Sequence, residues 1–270
     1  HRPVFAADGR FFFVSCYHAV RVYSTTTAQL LTQLEHGSAV TSFAINPLNA
    51  FQLLTTAVDG RIRFWEYQEG KELLVEDFGQ PIVAAVLAGD ASSPALVLSC
   101  ATNFSERDGH ISAGEVKLFW FDVRTRTNTR SLYKGHVHSG PGAGVVVSHD
   151  SSCVAWIAGA QLFVLRVGVL PLLTGKKRKK GEAKPVPPAP RVVTHPRRLT
   201  AVAFHPTEST ISTGDEEGAI VLAYLSPEFV QGKAGSGPPP SAKLHWHAHE
   251  VRSLAFSPDG TNLLSGGDEA

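Results

Sequence analysis

The sequence predicts an all-β fold in which one small antiparallel sheet is repeated along the chain, and three observations predict it. Apolar residues alternate over short runs, as in strands with one face on a core. The runs are separated by turns rich in Gly, Pro, Asn and Asp. A spacing of eleven residues also recurs, from His36 to Pro47, His138 to His149, His195 to Pro206 and His247 to Pro258. Self-similarity at a fixed spacing marks stacked supersecondary units.

The clearest unit runs from Glu35 to Tyr67. It opens on His36, then alternates through Val40, Phe43 and Ile45. Asn46-Pro47-Leu48-Asn49 breaks the strand, because proline donates nothing to a ladder and asparagine tolerates turn geometry. A second strand spans Gln52 to Ala57. Asp59-Gly60 is a strong hairpin signal, since glycine accepts positive φ, and it leads into Ile62-Arg63-Phe64-Trp65. Leu73 to Phe78 supplies a fourth strand.

The other copies follow in order. The first has Val4 to Gly9, Phe11 to Ser15 and Ala19 to Tyr23. The third runs from Pro81 through Val83 to Val86, Leu96 to Cys100, a long hairpin containing Asp108-Gly109, and Val116 to Phe121, with Trp120, or nearly as well Phe119, at the position of Trp65. The fourth has His136 and His138, Gly144 to Ser148, Cys153 to Ala158 and Gln161 to Val167. The fifth has His195, Leu199 to Phe204, Thr213, Glu217-Gly218 and Ile220 to Tyr224. The sixth has His247, Val251 to Phe256, Ser257 to Gly260, and Leu263 to Ser265 before the hairpin acid Glu269.

This pattern resembles a WD repeat, the four-stranded blade of a β-propeller. The resemblance implies a buried network of opening His, second-strand Ser or Thr, hairpin acid and third-strand Trp. The matching residues are His36, Thr55, Asp59 and Trp65 in the second copy, His195, Thr213 and Glu217 in the fifth, and His247, Ser265 and Glu269 in the sixth, while Ala223 stands where the fifth would carry Trp. The chemistry suits the role, because an imidazole bridges two partners and a buried indole N–H needs an acceptor. A catalytic Asp59-His36-Thr55 triad is the competing reading, and the repeat already explains its spacing. Parts of six blades are visible. With no methionine and a last copy that stops early, the expectation is a truncated seven-bladed ring forming a single domain over 1–270.

Composition narrows the function classes. The net charge of +1 carries no global signature of a nucleic-acid binder. Cys16, Cys100 and Cys153 are odd in number and widely spaced, which fits buried thiols in a reducing compartment better than disulfides or zinc. No apolar run is long enough for a membrane helix and no signal peptide opens the chain, so an intracellular soluble protein is expected. Two insertions, 168–190 and 226–241, are rich in Pro, Gly, Ser or Lys and are expected to be mobile loops. The first contains Lys176-Lys177-Arg178-Lys179-Lys180, a compact cationic run suited to an import receptor or to RNA phosphates, or to neither if it is only a solvated loop.

Sites for chemistry are scarce. His245, His247 and His249 alternate in a way a metal could use, but no carboxylate or thiol completes the shell, and His136 with His138 fares no better. Gly140-Pro141-Gly142-Ala143-Gly144 lacks the spacing and lysine of a phosphate loop. No nucleophile–base pair appears, so no catalysis, cofactor or metal is expected.

Several segments together, Val20 to Thr25, Asn46 to Asn49 with Gln52-Leu53, Ala203 to Glu208, Leu244-His245-Trp246-His247 and Leu263 to Gly267, resemble the first propeller of the WD repeat-containing protein 75 family. That family's members are subunits of the UTP-A (t-UTP) subcomplex of the small-subunit processome. The resemblance implies a non-enzymatic nucleolar scaffold that joins other WD-repeat proteins of UTP-A on the 5′ external spacer of pre-rRNA and supports its transcription and 18S rRNA processing. A generic WD-repeat adaptor, such as a ubiquitin-ligase substrate receptor reading peptides on the propeller face, is the alternative, and a propeller enzyme a more distant one.

Overall fold

The computed structural model describes residues 3–6, 8–88, 94–101, 104–107, 110–113, 116–135, 144–166, 189–232 and 237–268. The chain divides into two compact units, His1–Ser139 and Gly140–Ala270. Among the described residues no helix is long and apolar enough to cross a membrane.

The first unit holds three four-stranded antiparallel sheets, each laid down in chain order. The first sheet consists of β1 (Val4–Phe5), β2 (Phe11–Cys16), β3 (Ala19–Ser24) and β4 (Leu30–Glu35), and the second of β5 (Val40–Ile45), β6 (Gln52–Ala57), β7 (Arg61–Glu66) and β8 (Lys71–Asp77). The third begins with β9 (Ile82–Ala88) and β10 (Ala95–Ala101). A separate two-stranded hairpin, β11 (Phe104–Arg107) with β12 (His110–Ala113), then intervenes before β13 (Val116–Asp122) and β14 (Thr127–Gly135) complete the sheet. Asp108-Gly109, expected at the hairpin, lies outside the described residues.

The second unit repeats the plan. Its fourth sheet is β15 (Val145–Val147), β16 (Cys153–Ala158), β17 (Gln161–Arg166) and β18 (Arg191–Thr194). The fifth is β19 (Leu199–Phe204), β20 (Thr210–Asp215) and β21 (Ala219–Tyr224), followed by a short helix, α1 (Pro227–Gln231), and then β22 (Ser241–His245). A two-stranded sheet of β23 (Val251–Phe256) and β24 (Leu263–Gly267) ends the described chain.

Helix α1 corrects the expectation that 226–241 is one mobile loop. Ser226 accepts a hydrogen bond from the Phe229 N–H, Pro227 needs no donor in the first turn, and Gly232 closes the helix at φ +69°. Phe229 is buried in the core between the fourth and fifth sheets, and the Arg191 guanidinium lies 5.1 Å from its ring centroid. The other insertion falls outside the described residues from 167 to 188, and with it Lys176, Lys177, Arg178, Lys179 and Lys180.

Period-two alternation decides what each sheet buries. Phe13, Val20, Val22 and Leu34 of the first sheet meet Leu53, Trp65 and Tyr67 of the second. Leu54, Ile62 and Phe64, on the second sheet's other face, meet Leu96, Leu98 and Phe121 of the third. In the second unit Ala155, Leu162 and Val164 meet Val202 and Ile211, and Ala201 with Ile220 meet Val251 and Leu254. The second and fifth sheets are thus packed on both faces, which explains why the central strand β20 is buried along its whole length.

The exit from each of four outer strands is also tied back to its own sheet by one recurring backbone bond. The residue entering the next unit donates its N–H to the hairpin before it: His36 to the His18 carbonyl at 2.7 Å, Phe78 to Gly60 at 2.9 Å, His195 to Ala160 at 2.8 Å and His247 to Gly218 at 3.3 Å. The close approach explains the hairpin glycines. Gly60 has φ +80°, and a Cβ there would lie 2.7 Å from the Gln80 carbonyl oxygen.

Candidate functional site

The most developed polar site is the network of the second sheet. His36 precedes β5, Thr55 lies on β6 and Trp65 on β7, and all three are buried. His36 Nδ1 is 2.9 Å from the Leu34 carbonyl, which only accepts, so Nδ1 carries the proton. Nε2, 2.7 Å from Thr55 Oγ1, is therefore the acceptor of the threonine hydroxyl. The Trp65 indole N–H in turn donates to Thr55 Oγ1 at 2.9 Å. Every donor points one way, from Trp65 through Thr55 and His36 to Leu34, and no polar atom in the path is left over. Burial pushes the His36 pKa down to about 4, against the opposing effect of the Leu34 bond.

Asp59 does not join this network, contrary to the expectation from the repeat. Its carboxylate takes a two-pronged pair from Arg63, with Nη2 to Oδ2 at 2.5 Å and Nη1 to Oδ1 at 3.3 Å, and accepts the Arg61 N–H at 3.1 Å. The physical reason is Arg63, buried on β7 beside the hairpin, whose planar guanidinium needs a carboxylate more than a neutral imidazole does. Burial alone would raise the Asp59 pKa, but the Arg63 and Arg61 bonds outweigh it and hold the carboxyl below its usual range. The Asp59-His36-Thr55 relay of a triad therefore does not form, since His36 Nδ1 faces the Leu34 carbonyl.

The fifth sheet places His195, Thr213 and Ala223 at the same register positions as His36, Thr55 and Trp65. There the chain of bonds is missing: His195 Nε2 and Thr213 Oγ1 are buried with no hydrogen-bond partner. Burial depresses the His195 pKa, partly countered by the nearby Asp215 carboxylate. Glu217 is also not in the network. Its exposed carboxylate pairs with Arg197 at 3.0 Å, while Asp215 accepts the N–H groups of Glu217 and Ala219 and so closes the hairpin. In the sixth copy His247 Nε2 and Ser265 Oγ are 2.7 Å apart, matching the His36–Thr55 link, and Glu269 lies outside the described residues.

Register also corrects the third sheet. Leu53 pairs with Trp65, and the equivalent Leu96 pairs with Phe121, so Phe121 and not Trp120 or Phe119 occupies the tryptophan position. Leu98 stands where Thr55 does, and Trp156 does so in the fourth sheet. Those positions have been filled with apolar or aromatic bulk.

The remaining candidates resolve simply. His245 Nε2 lies 3.0 Å from the Glu217 carbonyl and His247 faces Ser265, so the alternating histidines do not converge, and the described residues hold no group of three that could bind a metal. His136, His138 and residues 140–143 are outside the described set. Cys100 and Cys153 are buried, and burial pushes the Cys100 thiol up to about 12, which leaves it unreactive; Cys16 is half-buried. A cavity of about 220 Å³ opens between the fourth and fifth sheets beside α1, lined among others by Asp150, Arg166, Phe204, Glu208 and Gln231.

Comparison with known proteins also points to a β-propeller. The family described as WD repeat-containing protein 75 first beta-propeller matches residues 4–270. The chain belongs to that family. It is 28% identical over 273 residues to WD repeat-containing protein 75 of Danio rerio, covering 99% of this chain. Against the protein of the same name from Homo sapiens it is 29% identical over 274 residues, covering 100%. The chain spans about 30% of the length of these relatives. As a β-propeller of this family, its four-stranded sheets are blades, and the blade numbers below follow the sheet order above.

Proposed function

We propose that the chain is a propeller of a non-enzymatic scaffold in ribosome biogenesis, a nucleolar component of the small-subunit processome that supports pre-rRNA transcription and 18S rRNA processing. The observation that carries this reading is the family match, which runs over 4–270 and so embraces both compact units. The geometry is compatible with it. Polar groups that a triad would use are consumed in structural bonds, and the hairpins are braced by exposed ion pairs such as Arg197–Glu217 and Arg198–Glu216. Rigid blades with variable connections suit assembly more than turnover. Its partners would be other WD-repeat proteins of UTP-A and the 5′ external spacer of pre-rRNA, with the cationic run Lys176 to Lys180 as the RNA or import-receptor contact.

The test is crosslinking of the tagged protein to RNA in cells, alongside a form with Lys176-Lys177-Arg178-Lys179-Lys180 neutralised and nuclear import supplied by an appended signal. Reads concentrated on the 5′ external spacer, and lost in the neutralised form, are expected. Absence of pre-rRNA from both forms, with a cullin complex copurifying instead, would replace this reading with that of a ubiquitin-ligase adaptor.

A further inference from the structure

We infer that the outer edge of the fifth blade, strand β22 with Trp246 just beyond it, is a docking edge for an extended segment of another protein in which apolar and acidic residues alternate. The inference rests on the scaffold reading only in taking the occupant to be a protein.

The backbone comes first. Tyr224 N–H donates to the Pro240 carbonyl at 2.9 Å, and the register continues with Ala223 opposite Ser241, Val221 opposite Lys243 and Ala219 opposite His245. Bonded and non-bonded pairs alternate in an antiparallel ladder, so Ala242 and Leu244 spend their groups on β21. Ser241, Lys243 and His245 turn theirs outward, where β22 is the last strand of its sheet. An exposed edge of this kind accepts another extended chain.

The side chains set β22 apart from other outer strands. Strands β4, β8 and β18 each have at least one residue that is half-buried or buried, whereas all five residues of β22 are exposed. Strand β8 carries Lys71, Glu72, Glu76 and Asp77, charges that discourage pairing, while β22 carries one formal charge, Lys243. Leu244 is 45% exposed and Trp246 is 78% exposed, and residues two apart stand on one side of an extended chain. The strand is nonetheless well anchored. His245 is tied to the Glu217 carbonyl, and the His247 N–H to Gly218 at 3.3 Å. An edge held this firmly is pre-organised, which lowers the ordering cost of association.

Charge settles the class of occupant. Lys243 makes no ion pair among the described residues and faces away from the Leu244–Trp246 side. An added strand would therefore set apolar residues over Leu244 and Trp246, and acidic residues beside Lys243 on the alternate positions.

The test is selection of a phage-displayed library of random linear peptides on the purified chain, followed by binding and hydrogen-exchange measurements with the enriched peptides. Alternating apolar and acidic sequences are expected, with the amides of 241, 243 and 245 protected on binding. Lys243→Pro removes an outward donor without touching a bond to β21, and should weaken binding by at least about tenfold. Trp246→Ser, at a site too exposed to endanger folding, should do the same, and Lys243→Glu should shift the selected sequences from acidic to basic. Absence of enrichment, peptides without the alternation, or binding that survives both Lys243→Pro and Trp246→Ser would overturn the inference. Peptide capture without pre-rRNA crosslinking would sink the ribosome-biogenesis reading and leave this edge standing, and the opposite result would sink the edge alone.

Discussion

In the second blade a tryptophan, a threonine and a histidine pass hydrogen bonds along a closed path to a backbone carbonyl; in the fifth, the same histidine and threonine sit in the same register with nothing between them. One residue separates the two outcomes. Trp65 supplies both the donor for Thr55 and the bulk that holds the imidazole in place, its ring centroid 5.1 Å from that of His36, and Ala223 supplies neither. A polar network is cooperative, so losing one member orphans the others instead of removing a third of the benefit. The fifth blade keeps its hairpin by another route, with Asp215 accepting two backbone N–H groups.

The comparison can be broken most forcefully by giving the second blade the fifth blade's residue. Trp65→Ala removes a buried aromatic and the Thr55 donor together, and should cost about 3–5 kcal/mol in urea unfolding. A smaller loss would mean that the network contributes little beyond packing. Acid comes next in size. Because the folded pKa of His36 lies below the unfolded one, the unfolded chain binds the extra proton first, and stability present above pH 6.5 is lost as pH falls toward about 4. A depression from 6.5 to about 4 corresponds to about 3 kcal/mol across that window, and His36→Asn should flatten this part of the stability–pH curve. His195 acts in the same direction, whereas Asp59, with its lowered pKa, releases its contribution only at more acid pH.

Threonine gives the sharpest contrast. Thr55→Val strands the His36 acceptor and the Trp65 donor and should cost about 1–3 kcal/mol, while Thr213→Val removes a hydroxyl that has no partner and should be neutral or stabilising. Equal effects at the two positions would mean that the blades differ less than their bonds imply. The smallest change is expected at Glu217→Gln. Its ion pair with Arg197 is exposed on both sides, so thermal unfolding should shift by no more than the equivalent of about 0.5 kcal/mol.

Much of this is legible in the amino-acid sequence. The second blade's strands fall within a residue or two of where alternation, Asn46-Pro47 and Asp59-Gly60 place them, because strand and turn preferences are local and act within a few residues. The eleven-residue interval likewise located the opening histidines His36, His195 and His247. What was misread is non-local. Trp120 is the obvious tryptophan of the third blade, yet the unbroken pairing of β10 with β13 sets Phe121 opposite Leu96, on the face toward the second blade, and alternation turns Trp120 to the other side. Helix α1 was signalled by Ser226-Pro227-Glu228, but the surrounding Gly, Ser and Pro masked it until the burial of Phe229 gave the helix a reason to form.

The amino-acid sequence by itself determined the repeat, its turns and the residues available to each blade, since these depend on backbone preferences over a handful of positions. Tertiary structure alone decided how the polar members were spent: Asp59 on Arg63, Asp215 on its own hairpin, and His36 on Thr55 while His195 has no such bond. Those choices turn on which charge or ring comes within hydrogen-bond distance inside a low-dielectric core, and that distance is set by register and packing between sheets.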